Sequence, residues 1–336
     1  MIYYLYGEKT NKTEIRKCVG DISQIAGAVP LEYTSGKAKG TSAIEVRNGS
    51  GLRFVVLPDR GMDIGCAEFK GIPLVYISKT GIVSPNHYDK LDFLRSFSAG
   101  LLTTCGLTYM GASCVDEGVS LGAHGRISNT PASDVSVVQE WVDDETYAIE
   151  IRGKVTESTV FGEHMVLTRT IRTVMGDNQI EIKDIVENCG FEPTPLMLLY
   201  HINFGYPLVS KNTMLKTNCI NLRPRDEIAI KGIADTEIFQ KPTYNYQEQV
   251  FYRDSVPTSY ATLSNPDLGI SSTVEYESKN LPYLIEWKQM GEQEYVIGLE
   301  PATWYPEGRA QARKRGELMT LLPQKTVEFN VSIKLE

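Results

Sequence analysis

Met165-Val166-Leu167-Thr168-Arg169-Thr170-Ile171-Arg172-Thr173-Val174 is the stretch that decides the fold. One set of alternate residues is Val166, Thr168, Thr170 and Arg172; the other is Leu167, Arg169, Ile171 and Thr173. A repeat of two is that of a β-strand, whose side chains leave on opposite faces. The turn Gly176-Asp177-Asn178 follows, and residues 179–186 alternate again. Upstream, residues 135–142 and 147–155 surround the acidic turn Asp143-Asp144-Glu145. Short alternating runs separated by turns predict antiparallel sheets. Asn48-Gly49-Ser50-Gly51 between residues 43–47 and 53–57 reads as a hairpin, as does Lys70-Gly71 between 64–69 and 72–77. Residues 194–200 are nearly all apolar, which fits a strand buried on both faces. Further strands are expected at 281–287, 294–299 and 326–333. A short helix is expected at residues 12–19, capped by Asn11 or Thr10, and one helical turn or two at 91–96, with no long amphipathic helix after residue 100. No linker or repeat divides the chain. The expectation is an all-β protein: residues 1–35 form an N-terminal extension with a short helical segment, packed on a main domain. Residues 36–336 form that single domain, a sandwich of two large antiparallel sheets.

The 336 residues, 42% of them hydrophobic, are ample for a large core. Basic residues number 34 against 42 acidic, with no basic stripe, so nucleic acid is not an expected partner. The same acidity gives no attraction to anionic membrane surfaces, and no run of about 18 apolar residues is present to span one. The opening MIYYLYGEKTNKTEIRKC lacks the basic and apolar regions of a signal peptide. Six scattered cysteines without a CxxC pair read as free thiols of a cytoplasmic protein.

Three segments place functional side chains inside apolar β texture. Leu121-Gly122-Ala123-His124-Gly125-Arg126-Ile127-Ser128-Asn129-Thr130-Pro131 gathers His, Arg and Asn around glycines that let backbone approach a ligand. Leu198-Leu199-Tyr200-His201-Ile202-Asn203-Phe204-Gly205 puts His201 and Asn203 on one strand face. Val296-Ile297-Gly298-Leu299-Glu300-Pro301 ends an apolar run on a carboxylate, which is costly to bury without a partner or a purpose. Taken singly, each is more often structural: a satisfied histidine, a solvated turn, a capping loop. Together they supply a titratable acid, a titratable base and hydrogen-bond donors. Opening a cyclic hemiacetal needs that set: one group removes the C1 hydroxyl proton while the other protonates the ring oxygen. The reaction requires no cofactor and no metal.

LPDRGMDIG at residues 57–65, LLTTCGL at 101–107, HGRISNTPA at 124–132, YHINFG at 200–205 and GLEPAT at 298–303 resemble the aldose 1-epimerase (galactose mutarotase-like) superfamily. More narrowly, they resemble a divergent bacterial branch known as a domain of unknown function of aldose-epimerase type. The resemblance spans roughly residues 40–333. It implies a β-supersandwich with a small sugar as the bound molecule. His201 matches the family's general acid and Glu300 its general base. His124 matches a sugar contact, Trp287 the floor of the pocket, and Arg126 an arginine of the hexose-6-phosphate-handling branch. Asn203 and Arg60, within the matching motifs, join the substrate-binding candidates, and Asp116 and Asp226 are the candidates for the family's binding aspartate. The expected function is a cofactor-independent isomerase of anomerase type. The alternatives are a non-catalytic sugar-binding protein and an isomerase of a phosphorylated or acidic sugar held by Arg60, Arg95, Arg126 or Arg223. A metal-assisted isomerase using His87, His124, His201 and Glu300 has no recognised ligand spacing behind it. A homodimer formed through a sheet edge or the N-terminal segment is left open.

Overall fold

Residues 165–174 fall in the strand His164–Val174, in which Met165, Leu167, Arg169, Ile171 and Thr173 are buried and the residues between them only half so. The period of two therefore marks the inward face even where that face carries an arginine and a threonine. The computed structural model describes residues 4–89 and 92–336. In order across the smaller, eight-stranded sheet are Ser133–Trp141, Tyr147–Ser158, His164–Val174, Gln179–Asn188, Thr326–Leu335, Ile270–Glu277, Thr258–Asn265 and Met214–Thr217. Across the larger, eleven-stranded sheet run Ile220–Pro224, Gln249–Asp254, Tyr283–Gly291, Glu294–Ala302, Met197–Gly205, Leu102–Leu107, Asp63–Phe69, Leu52–Leu57, Ser42–Arg47 and Gly27–Glu32, with Ile72–Pro73 paired to Asp63–Phe69.

The two sheets stack through one apolar core. Phe54, Ile64, Leu102, Ile202, Phe204 and Leu299 of the larger sheet meet Ile149, Leu167, Ile171, Ile182, Leu263 and Val331 of the smaller. Burying each such side chain stabilises the fold by about 1.5–3 kcal/mol. A second apolar cluster covers the other face of the larger sheet, with Met197, Leu199, Cys105, Ile285, Ala302 and Trp304 packed under Ala312 of the helix Arg309–Arg315.

Other expectations meet mixed outcomes. Asn11 caps the helix Lys12–Cys18 by accepting from the Glu14 N–H at 3.0 Å. The strand Gly27–Glu32, within the first 35 residues, pairs with Ser42–Arg47 and ends the larger sheet. The hairpin expected at 64–69 and 72–77 is cut short after Ile72–Pro73, because the chain turns away to bridge Val75 to Phe204 and Ile77 to Ala99. Of residues 91–96, Leu91 lies outside the described residues and Phe93–Arg95 forms a single 3₁₀ turn. The strands Thr258–Asn265 and Ile270–Glu277 escaped sequence reading because several of their inward residues are small and polar, Ser259, Asn265 and Ser272 among them. Among the described residues, no helix is long and apolar enough to cross a membrane.

Candidate active site

All nine residues of Met197–Gly205 are buried, since the strand lies between Leu102–Leu107 and Glu294–Ala302. Leu198, Tyr200, Ile202 and Phe204 face the inter-sheet core, so His201 and Asn203 face the other way. The register that pairs Ile202 with Leu299 sets His201 against Glu300. His201 also pairs with Thr103, and Glu300 with Ile285. The result is a polar row across adjacent strands in which His201 Nδ1 stands 3.3 Å from Glu300 Oε1. Gly298 makes room for that carboxyl: a Cβ there would lie 2.3 Å from Glu300 Oε1.

His124 arrives from a loop rather than a strand. Its φ of 58° is unusual for a residue with a side chain. Its N–H donates to Gly111 O at 2.8 Å and its carbonyl accepts from the Gly106 N–H at 3.1 Å. The next residue has to be glycine: φ is 78° at Gly125, and a Cβ would fall 2.1 Å from Gly106 O. This turn sets the His124 ring 5.9 Å from that of His201. Phe93 packs on His124 at 4.8 Å, and Phe97 and Trp287 on His201 at 5.0 and 5.2 Å. Aromatic rings thus flank both imidazoles.

Burial dominates the electrostatics. It pushes the His201 imidazole down to about 3, with His124 adding to the effect and Asn203 opposing it. It pushes His124 down to about 4, against the pull of Glu248. It raises the Glu300 carboxyl well above its ordinary 4.5, and Glu248 adds to the rise. The 3.3 Å approach of His201 to Glu300 alone would favour an ion pair. Burial prevails, because removing two ions from water costs several kcal/mol each. Both shifts favour a carboxylic acid beside a neutral imidazole over the ion pair.

Among the described residues, His124 Nδ1, His201 Nδ1, Asn203 Oδ1 and Glu300 Oε1 are buried side-chain atoms with no hydrogen-bond partner. Asn203 is held in place through its other end, donating to Gly100 O and His201 O. Buried polar atoms of a folded protein are nearly always paired. Four unpaired atoms in one neighbourhood, two of them donors or acceptors according to tautomer, suit a polyhydroxylated ligand.

The other expected residues go elsewhere. Arg60 is buried, and its guanidinium donates to Val83 O at 2.7 Å and Ser96 O at 2.9 Å, behind the phenylalanines. Arg126 lies over the Tyr109 ring and 3.6 Å from Glu157, lining a cleft of about 1230 Å³ with His164, Cys189 and Arg309. Asp116 is clamped by Arg309 and Arg313, and Asp226 caps the helix Glu227–Lys231. Arg95 pairs with Asp92, and Arg223 with Asp254. His87 is exposed on the turn Pro85–His87. Nothing in the sequence points to Glu248 as a site residue, yet it accepts from the Trp287 indole at 2.8 Å and pairs with Arg225 at 3.1 Å. No motif surrounds Glu248; only its position one residue before the strand Gln249–Asp254 points to it. Phe93 and Phe97 were equally silent.

Comparison with known proteins agrees with this architecture. A family described as a domain of unknown function (DUF4432) matches residues 38–335. A solved structure of a candidate aldose 1-epimerase from Klebsiella pneumoniae is similar with a TM-score of 0.86 and 25% identity, over 97% of this chain and 86% of that one. A galactose mutarotase-like protein from Clostridium acetobutylicum has a TM-score of 0.66 at 15% identity, over 93% and 99% of the two chains. A galactose 1-epimerase from Lactobacillus acidophilus has a TM-score of 0.61 at 15% identity, over the same shares. No curated protein matches. The fold is galactose mutarotase-like.

Proposed function

The chain belongs to the DUF4432 family, and from that membership and its site we propose that it is an isomerase of aldose 1-epimerase type, interconverting the anomers of a free sugar. The observation that carries this reading is the buried His201–Glu300 pair, 3.3 Å apart, with the unpaired His124 Nδ1 and Asn203 Oδ1 beside it. Between them the two groups hold one proton. One takes the proton of the C1 hydroxyl as C1 becomes a carbonyl and the C1–ring oxygen bond breaks. The other delivers a proton to the ring oxygen. Rotation about C1–C2 presents the opposite face, and the same transfers run backwards to close the ring. With Glu300 as the base and His201 as the acid, the required ion pair is one proton transfer from the resting pair.

His124 and Asn203 then hold sugar hydroxyls, Trp287 offers an apolar ring face to the C–H side of the sugar, and Glu248 at its edge accepts from a further hydroxyl. Every arginine named above is engaged by protein groups, so an uncharged aldose fits better than a phosphorylated one. The test adds the protein to freshly dissolved α-anomers of several aldoses and follows optical rotation. Acceleration by the wild type, lost in Glu300→Gln and in His201→Asn, is the expected result. Equal acceleration by wild type and Glu300→Gln overturns the assignment, and none with any aldose overturns the activity.

A further inference from the structure

Arg60 has no part in the chemistry above, yet its surroundings are built with care. It sits in the turn between Leu52–Leu57 and Asp63–Phe69, and that turn docks two other segments. On one side, the Gly61 N–H donates to Thr130 O at 3.0 Å and the Ala132 N–H to Pro58 O at 2.9 Å. These bonds anchor the end of the loop that carries His124. Contact is close, since a Cβ on Gly61 would lie 2.6 Å from Ile127 O. On the other side, the Arg60 fork grips Val83 O and Ser96 O, two carbonyls thirteen residues apart in sequence on either side of Phe93. Phe93 and Phe97 in turn pack on His124 and His201. The turn thus brackets both segments that meet over the histidines, and the guanidinium is a charged connection from it to the aromatic side.

We propose that Arg60 is a positioning residue: by holding the Val83 and Ser96 carbonyls it fixes the Phe93 and Phe97 wall against His124 and His201. The wall keeps water from the imidazoles and sets the space left for a sugar ring. A planar fork suits this task, because it presents two donors in fixed directions to two separate acceptors. A lysine ammonium satisfies both less well. Methionine matches the length of the stem and leaves both carbonyls without a donor. The inference rests on the acid–base reading for its kinetic consequence alone; its structural consequence is read separately.

Histidine C2 proton resonances of the wild type, Arg60→Lys and Arg60→Met are titrated by NMR, with His124 and His201 assigned by single replacement to Asn. Among the described residues, the titratable groups facing these imidazoles are each other, Glu300, Glu248 and, through Glu248, Arg225, none of which the Arg60 substitutions alter. In folded Arg60→Met the midpoints of His124 and His201 are expected to rise by about one unit or more toward the ordinary value as water enters. Arg60→Lys falls between Arg60→Met and wild type. A near-native thermal melt of Arg60→Met separates this outcome from a general loosening of the fold. In the sugar assay, Arg60→Met is expected to lose about tenfold to a hundredfold in kcat, the scale of a misplaced group, with partial rescue by Arg60→Lys. Unchanged His124 and His201 midpoints in a folded Arg60→Met overturn the proposal. If Arg60→Met does not fold, unchanged midpoints in Arg60→Lys overturn it. Failure of both to fold assigns Arg60 to stability alone and overturns it too. Should the wild type prove inactive, the titration still decides the role of Arg60.

Discussion

Tyr200 and His201 are neighbours in one strand, and each anchors a buried polar cluster on its own face of the larger sheet. On the Tyr200 side, Arg169 grips Asp184 through two bonds of 2.9 and 2.6 Å and reaches Asp63 and Thr104 at 3.1 and 2.8 Å. Asp63 also accepts from the Thr104 N–H and hydroxyl, and the Tyr200 hydroxyl donates to Asp184 at 2.7 Å. No side-chain atom of these five residues is among the buried orphans. On the His201 side, His124, His201, Asn203 and Glu300 each leave one. His201, Asn203 and Glu300 are as deeply buried as the residues of the first cluster; charge and completeness differ. A closed network ties the two sheets together, while an open one holds its hydrogen-bonding capacity for something else.

The strongest way to break this comparison is a reciprocal pair of substitutions. Glu300→Gln is expected to lower the anomerisation rate by about 10²–10⁴-fold and to leave the urea midpoint at neutral pH nearly unchanged, since burial favours the neutral form of the carboxyl, which the amide resembles. Arg169→Met strands Asp63 and Asp184 in the core and is expected to cost about 3–5 kcal/mol of stability in the same denaturation. If Glu300→Gln destabilises as much as Arg169→Met, both clusters are structural and the distinction fails.

Gly298→Ala sharpens the functional side. The added methyl cannot share space with Glu300 Oε1, so the carboxyl must swing away from His201. A rate loss of about a hundredfold with near-native stability is expected, read by optical rotation and thermal melting. An unaffected rate would mean that the 3.3 Å approach is dispensable. Tyr200→Phe sharpens the structural side: it removes a single bond to an ionised partner and should cost about 1.5–3 kcal/mol in urea. Its effect on rate should be small, although it adjoins His201.

The mildest test is pH. The active pair carries one proton, so activity should fall when His201 gains a second below about 3 and when Glu300 loses the last above its raised value. The acid limb should lie far below 6.5, the ordinary imidazole midpoint. Stability has its own sign. With folded values of about 4 and about 3, His124 and His201 bind fewer protons than in the unfolded chain. Their contribution is intact above 6.5 and is lost as pH falls toward those values. Glu300 acts the other way, its contribution being present below 4.5 and lost as pH rises through its raised value. His201→Asn should therefore flatten the fall in the urea midpoint between pH 6.5 and 4. An unchanged slope would mean that His201 is hydrated in solution.

The amino-acid sequence by itself settled what depends on neighbours along the chain. Alternation over residues 165–174 and 179–186 made the strands, and turn residues such as Asn48-Gly49 set a hairpin. Periodicity also put His201 and Asn203 on one face, because side-chain direction in a strand follows from position alone. Register brought Glu300 opposite His201, and that required the pairing of strands almost a hundred residues apart. Only the tertiary structure sent Arg60 behind the site, Arg126 toward Glu157, and Glu248 and the phenylalanines to His201 and its neighbours. Those side chains lie in loops and turns or at a strand's start, where no period links position to direction. What they touch is decided by segments that meet in space.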